Sequence, residues 1–144
     1  MAKKEEKAKV LIAMGSDSDW EVMSAARETL DSFGVASDVV VASAHRCLER
    51  TVEIVRKADA DGVCVFIVGA GAAAHLGGVI AAATSKPVAA VPLDATSMKG
   101  LDALLATVMM PGGIPVATMA IGKAGAKNAA IFAVSLPIRP FFKM

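Results

Sequence analysis

The fold class this sequence predicts is α/β: an open, parallel sheet of about five strands with helices on both faces. Three observations carry that reading. Short apolar runs alternate five times with stretches whose apolar residues recur at helical spacing. One run, Val63 to Val68, is apolar throughout, as a parallel strand covered on both faces should be. Strand and helix also follow one another at the spacing that right-handed crossovers need.

The elements follow in order. Val10 to Met14 is a first strand, and Gly15-Ser16-Asp17-Ser18-Asp19 is a turn rich in helix-capping residues. Met23, Ala26, Leu30 and Phe33 mark the first helix, which Gly34 stops. Val39 to Ala42 is the second strand. Leu48, Val52, Val55 and Ala58 mark the second helix, ending near Asp61-Gly62. After the Val63 to Val68 strand, Gly69 to Gly71 reads as a turn and an alanine-rich helix runs to about Thr84. Pro87 to Val91 is strand four, and Leu101 to Met109 a helix stopped before Pro111. Val116 to Ala120 is strand five, and a last helix runs from about Ala124 to Leu136, ended by Pro137.

At 144 residues the chain makes one domain, residues 10–136, between a lead-in at 1–9 and a tail at 137–144. Lys plus Arg number 15 against 14 Asp plus Glu, a net charge of +1, which argues against nucleic acid or an anionic membrane as partner. The basic cluster Lys3, Lys4, Lys7 and Lys9 is interleaved with Glu5 and Glu6 and reads as solvated. Apolar residues make up 55% and aromatics only 4%, so the surplus apolar surface points to a homo-oligomer. Cys47 and Cys64 are too few for a disulfide framework, and no secretory leader is visible, so a cytoplasmic location is expected. Gly62 to Ser85 carries no charge and is long enough to span a bilayer, but Gly69, Gly71, His75, Gly77 and Gly78 interrupt it. Ala103 to Gly122 is likewise broken by Pro111, Gly112, Gly113 and Pro115, so neither is expected to span.

In an open parallel sheet, ligands bind beyond the carboxyl ends of the strands. The polar loops at 15–19, 43–46, 69–76 and 92–99 all follow strands and so share that edge. Ser43-Ala44-His45-Arg46 puts a proton-exchanging imidazole beside a guanidinium suited to phosphate. The alternative is a surface His next to a surface Arg. Gly15 to Trp20 opens a helix with free N–H groups and two hydroxyls, an anion site, against the alternative of an ordinary capped start. Asp17 and Asp19 would repel a phosphate, so at least one points elsewhere, and a ribose diol suits Asp19. The segment has neither a P-loop lysine nor a dinucleotide fingerprint. In Gly69 to Leu76, small residues admit a planar ring close to the backbone, or simply allow tight helix-on-sheet packing; His75 is a second polar contact or a structural residue. Two histidines in separate loops do not make a zinc site. Cys47 at a helix start is a conceivable nucleophile that ranks behind His45.

Taken together, five segments resemble one family. They are Met14-Gly-Ser-Asp-Ser-Asp-Trp20, Ser43-Ala-His-Arg46, Gly69 to Leu76, Met110-Pro-Gly-Gly-Ile-Pro-Val-Ala-Thr118 and Ala120 to Ala130. The family is the bacterial-type N5-carboxyaminoimidazole ribonucleotide mutase of purine biosynthesis, and the likeness runs from Val10 to about Leu136. It implies a three-layer, flavodoxin-like fold, a homo-octamer, a phosphoribosyl imidazole substrate, and neither metal nor organic cofactor. It also implies that His45 is the general acid and base. Ser16, Ser18 and Arg46 match phosphate contacts and Asp19 a ribose contact. Ser43, with Ala70, Gly71, His75 and Leu76, lines the base and carboxylate pocket.

This chain departs from the family at Cys47-Leu48, where Thr-Pro is usual, at Ala72 for glycine, at Gly77 for proline, and in the loop Leu93 to Ser97. The apolar tail Pro140-Phe141-Phe142 is a candidate to dock on a neighbouring subunit. Two other functions are set against the mutase: direct carboxylation of aminoimidazole ribonucleotide by CO2, and a non-catalytic flavin- or phosphate-binding module. Flavin sites stack aromatics, and Trp20 is the only Trp in a chain without Tyr.

Overall fold

Five parallel strands stand in the order β2-β1-β3-β4-β5 in a computed structural model that describes residues 9–137. The strands are β1 (Val10–Met14), β2 (Ser37–Val41), β3 (Val65–Gly71), β4 (Val88–Leu93) and β5 (Ala117–Thr118). The helices between and after them are α1 (Trp20–Ser32), α2 (Leu48–Asp61), α3 (Leu76–Ala83), α4 (Leu101–Val108) and α5 (Lys123–Ser135). A single 3-10 turn, Asp17–Asp19, leads into α1. This is the flavodoxin-like strand order. Its direction of growth reverses between β1 and β3, which opens a crevice at their carboxyl ends. Lys3, Lys4, Lys7 and the tail Pro140-Phe141-Phe142 lie outside the described residues.

Alternation along the strands builds two apolar layers. Ile12, Met14, Ile67 and Val91 face Met23 and Leu30 of α1 and the alanines 126, 129, 130 and 133 of α5. Leu11, Ala13, Phe66, Val68 and Ala90 face Val55 and Ala58 of α2 and Leu76 and Ile80 of α3. Each large side chain buried this way contributes about 1.5–3 kcal/mol. Alanine on α5 lets that helix approach α1 and the sheet closely. Its Gly125 is tighter still, because a Cβ there would fall on the Ala120 carbonyl. Helix α4 buries Ala103 and Thr107 but leaves Leu101 and Leu105 half exposed, at 50% each, with Val108 and Met109 beside them.

Helices α1, α2, α4 and α5 and the first strand fall within about two residues of expectation. Three strands differ. Gly69 to Gly71 is not a turn: it continues β3 and pairs with Val91, Pro92 and Leu93. Glycine leaves room there for the Met23 side chain, whose Sδ would sit 2.5 Å from a Cβ on Gly69 and would have to shift. Strand four extends past Val91 through Pro92. The Pro92 carbonyl still accepts the Gly122 N–H at 3.0 Å on the β5 side, where the ladder has already ended and no strand N–H is needed. Strand five shortens to two residues pairing with Ala89 and Ala90 at the sheet's edge. Helix α3 begins only at Leu76, because Ala72 turns the chain through φ 53 and a tight turn over Ala72 to His75 intervenes. The uncharged stretch 62–85 is thus split between β3 and α3. Among the described residues no helix is long and apolar enough to cross a membrane.

Candidate functional site

The crevice at the β1/β3 reversal is a cleft of about 390 Å³. Its wall comes from four chain segments that share the sheet's carboxyl edge: the turn after β1, the loop after β2, the end of β3 with the turn that follows, and Ala95 after β4. The ten residues singled out from the sequence all line it: Ser16, Ser18, Asp19, Ser43, His45, Arg46, Ala70, Gly71, His75 and Leu76. Gly15, Ala44, Ala72, Ala73 and Ala95 complete the lining. Trp20 and Cys47 are exposed elsewhere and do not reach it.

The first turn is held by reciprocal capping. Ser16 N–H donates to Asp19 Oδ2 at 3.0 Å, and Ser18 N–H donates to Ser16 Oγ at 3.3 Å. Of the N–H groups expected to be free here, the turn uses those of Ser16 and Ser18 on its own side chains. The two hydroxyls stand together for an anion, with Ser16 Oγ and Ser18 Oγ 2.9 Å apart. Asp17 accepts from Ser16 Oγ at 3.3 Å. Burial raises the Asp19 carboxyl above its ordinary value; the N–H groups of Ser16 and Gly15 oppose that, and the charge of Asp17 adds to it. Gly15 N–H also bonds the Gly69 carbonyl at 3.3 Å, fixing the turn to β3.

The loop after β2 is braced in the same local way. Arg46 N–H donates to Ser43 Oγ at 3.2 Å, and the buried Thr51 of α2 donates its hydroxyl to the carbonyls of Ser43 (3.2 Å) and Cys47 (3.0 Å). Arg46 is exposed, and no carboxylate among the described residues forms an ion pair with its guanidinium. It is therefore open to a phosphate. His45 reaches across the cleft to His75, thirty positions on: His45 Nε2 lies 2.6 Å from His75 Nδ1, and the rings meet edge to face at 75°. Reading the sequence placed both histidines in one pocket without joining them, because nothing in either loop signals the other.

Ala95, which the sequence marks only as part of the 92–99 loop on this edge, also lines the cleft. Its signal was its place after β4, on the edge that carries the other loops. It is set against Gly71, where a Cβ would come within 2.6 Å of Ala95 Cβ. Ala72 has the left-handed φ that glycine adopts freely, which gives a physical reason for glycine at that position. The segment 110–118 does not line the cleft; Met110 packs on α3 instead, 3.2 Å from where a Gly78 Cβ would stand. Among the described residues no three His, Cys, Asp or Glu side chains gather as a metal would require.

Comparison with known proteins adds an independent line of evidence. The sequence profile of the AIR carboxylase family matches residues 9–137. N5-carboxyaminoimidazole ribonucleotide mutase of Brucella melitensis is 50% identical over 127 residues, covering 88% of this chain and 78% of that protein. The protein of the same name from Escherichia coli is 46% identical over 136 residues, covering 94% and 80%. Among solved structures, Treponema denticola PurE superposes with a TM-score of 0.78 at 30% identity, over 86% of this chain and 76% of that one.

Proposed function

The chain belongs to the AIR carboxylase family as a mutase-type enzyme of purine biosynthesis, and we propose that it moves the carboxylate of N5-carboxyaminoimidazole ribonucleotide to ring carbon 4. The observation that carries this reading is the single cleft in which hydroxyls, an unpaired guanidinium, a carboxylate and an imidazole converge from separate loops. Its volume of about 390 Å³ suits one small ligand. The 5′-phosphate lies against Ser16 Oγ, Ser18 Oγ and Arg46. The ribose diol lies on the Asp19 oxygen that Ser16 N–H does not occupy. The imidazole lies over the backbone of Ala70 and Gly71, between Ser43 and Leu76.

His45 carries the proton. As the carbamate C–N bond breaks, its electron pair stays on the exocyclic nitrogen, which takes a proton from His45, and CO2 is released into the cleft. The electron-rich carbon 4 then attacks the same CO2, forming the new C–C bond. Carbon 4 now holds both a hydrogen and the carboxylate, and His45 removes that proton to restore aromaticity. The ring ends as it began, and every atom of the substrate is retained in the product. General acid–base assistance of this kind contributes roughly 10²- to 10⁴-fold. The catalytic unit is the domain 10–136, and it works as a cytoplasmic homo-octamer. The apolar stripe on and after α4, with Leu101, Leu105 and Val108 half exposed and Met109 largely exposed, supports assembly into an oligomer.

The test is conversion of N5-carboxyaminoimidazole ribonucleotide in isotopically labelled bicarbonate. Unlabelled 4-carboxy product is expected. Label in the product would instead assign direct carboxylation of aminoimidazole ribonucleotide, and absence of product would refute both. His45→Asn should abolish turnover while substrate still binds, and near-normal turnover would remove His45 from this role.

A further inference from the structure

We propose that His75 is a positioning residue for His45, and that the two imidazoles exchange protons as one unit. This rests on the assignment of His45 as acid and base. Its ground is the 2.6 Å approach of His45 Nε2 to His75 Nδ1. A nitrogen pair at that distance holds one proton between a donor and a lone pair. If His45 Nε2–H donates, His75 Nδ1 is bare, and a neutral His75 carries its proton on Nε2. If His75 Nδ1–H donates, His45 Nε2 is bare, and a neutral His45 carries its proton on Nδ1. The rings must therefore hold the same tautomer. Mixed tautomers set two N–H groups, or two lone pairs, against each other. Two imidazolium ions are excluded for the same reason, so the intact pair carries at most one positive charge.

This coupling makes His45 Nδ1 the nitrogen left open for proton exchange. A proton arriving at Nδ1 lets the bridging proton pass from His45 Nε2 to His75 Nδ1 as His75 releases its Nε2 proton. One proton enters the pair, one leaves, and the ring orientations stay as they were. The edge-to-face geometry at 75° suits this, since the Nε2 edge of one ring meets the other without stacking over it. His75 caps no backbone group through its side chain, although it stands at the start of α3. Its ring is exposed, so its replacement leaves the core intact.

The experiment is nitrogen-15 NMR of the ring nitrogens at alkaline pH, with both rings neutral, on the wild type, His75→Asn and His75→Leu. The wild type should show the same single tautomer at both histidines, and in His75→Leu the His45 signals should move to an averaged tautomer mixture. Asn places an amide where Nδ1 stood and should restore a hydrogen-bond partner for His45 Nε2, moving the His45 signals away from those of His75→Leu. In turnover, His75→Leu should lower kcat by roughly 10- to 100-fold, part of the general acid–base contribution, with KM changed by less than about threefold. His75→Asn should recover kcat several-fold over His75→Leu. Opposite tautomers in the wild type, or unchanged His45 ring signals in His75→Leu, would overturn the proposal. So would a loss expressed wholly in KM. The NMR readout needs no substrate, so an inactive wild type would refute the mutase reading while leaving this one to be decided by its own signals.

Discussion

Replacing Gly125 by alanine sets two effects of opposite sign against each other. Gly125 lies inside α5, where exchanging glycine for alanine normally stabilises a helix by about 1 kcal/mol. Its added Cβ, however, would land on the Ala120 carbonyl oxygen, with the carbonyl carbon at 2.7 Å and Val91 Cγ1 at 3.1 Å. The obstacle is backbone, so no rotamer change relieves it. The segment before α5 must move, and that segment holds Met119 N–H on the Ala90 carbonyl (2.8 Å) and Gly122 N–H on the Pro92 carbonyl (3.0 Å). Overpacking costs about 1–3 kcal/mol, more where backbone shifts. A weakened hydrogen bond adds about 1 kcal/mol. Against the propensity gain, the net loss is about 3 kcal/mol, a fall in Tm of roughly 10 °C for a domain this size. Thermal melts followed by circular dichroism at equal protein concentration measure it, with exposed Ala124→Gly in the same helix calibrating the propensity scale. A Gly125→Ala protein as stable as wild type, or more so, would refute the reasoning.

Other predictions follow from the cleft. Ala72→Gly removes a left-handed methyl-bearing residue and should stabilise the fold by about 1 kcal/mol, visible as a higher Tm; an unchanged or lower Tm would contradict the strain assigned to that position. Gly71→Ala should raise KM by pushing the Ala95 loop, and Ala95→Gly in the same chain should restore it because the clashing Cβ is gone; additive effects in that double-mutant cycle would deny the contact. The raised Asp19 carboxyl means that the folded state binds its proton more tightly than the unfolded chain does. Stability from this group is therefore highest below the ordinary Asp pKa and declines as pH rises through the folded value. Asp19→Asn should remove that decline, so denaturant melts across the acidic range should show the mutant gaining on wild type with rising pH; a constant difference would refute it.

Much of this architecture was legible because parallel β/α units leave strong local traces. Met23, Ala26 and Leu30 announced α1 through their spacing, and Gly62, at φ 89, ended α2 where the sequence indicated. The lining residues were legible for a topological reason: every loop that follows a parallel strand emerges on the same edge, so four loops are neighbours before any side chain is placed. What failed was information held by distant partners. Gly69 and Gly71 resemble turn glycines in isolation, yet Met23 and Ala95 occupy the space a side chain would take there. The Val116 to Ala120 run has the composition of a strand, but β4 pairs with only two of its residues. Ser16 and Asp19 looked like ligand donors and acceptors, whereas part of their capacity closes the turn on itself. The His45–His75 pair spans thirty positions, beyond the reach of any local pattern.

The self-capped turn at Ser16 to Asp19 has a kinetic corollary. A loop that already satisfies the amides of Ser16, Ser18 and Asp19 does not wait for an incoming anion to give it shape, so the protein meets its ligand with hydroxyls in place and little left to freeze. Encounter, rather than rearrangement of this wall, then sets the pace of capture. Slow amide exchange at Ser16 and Ser18 in the unliganded protein is the trace such rigidity leaves.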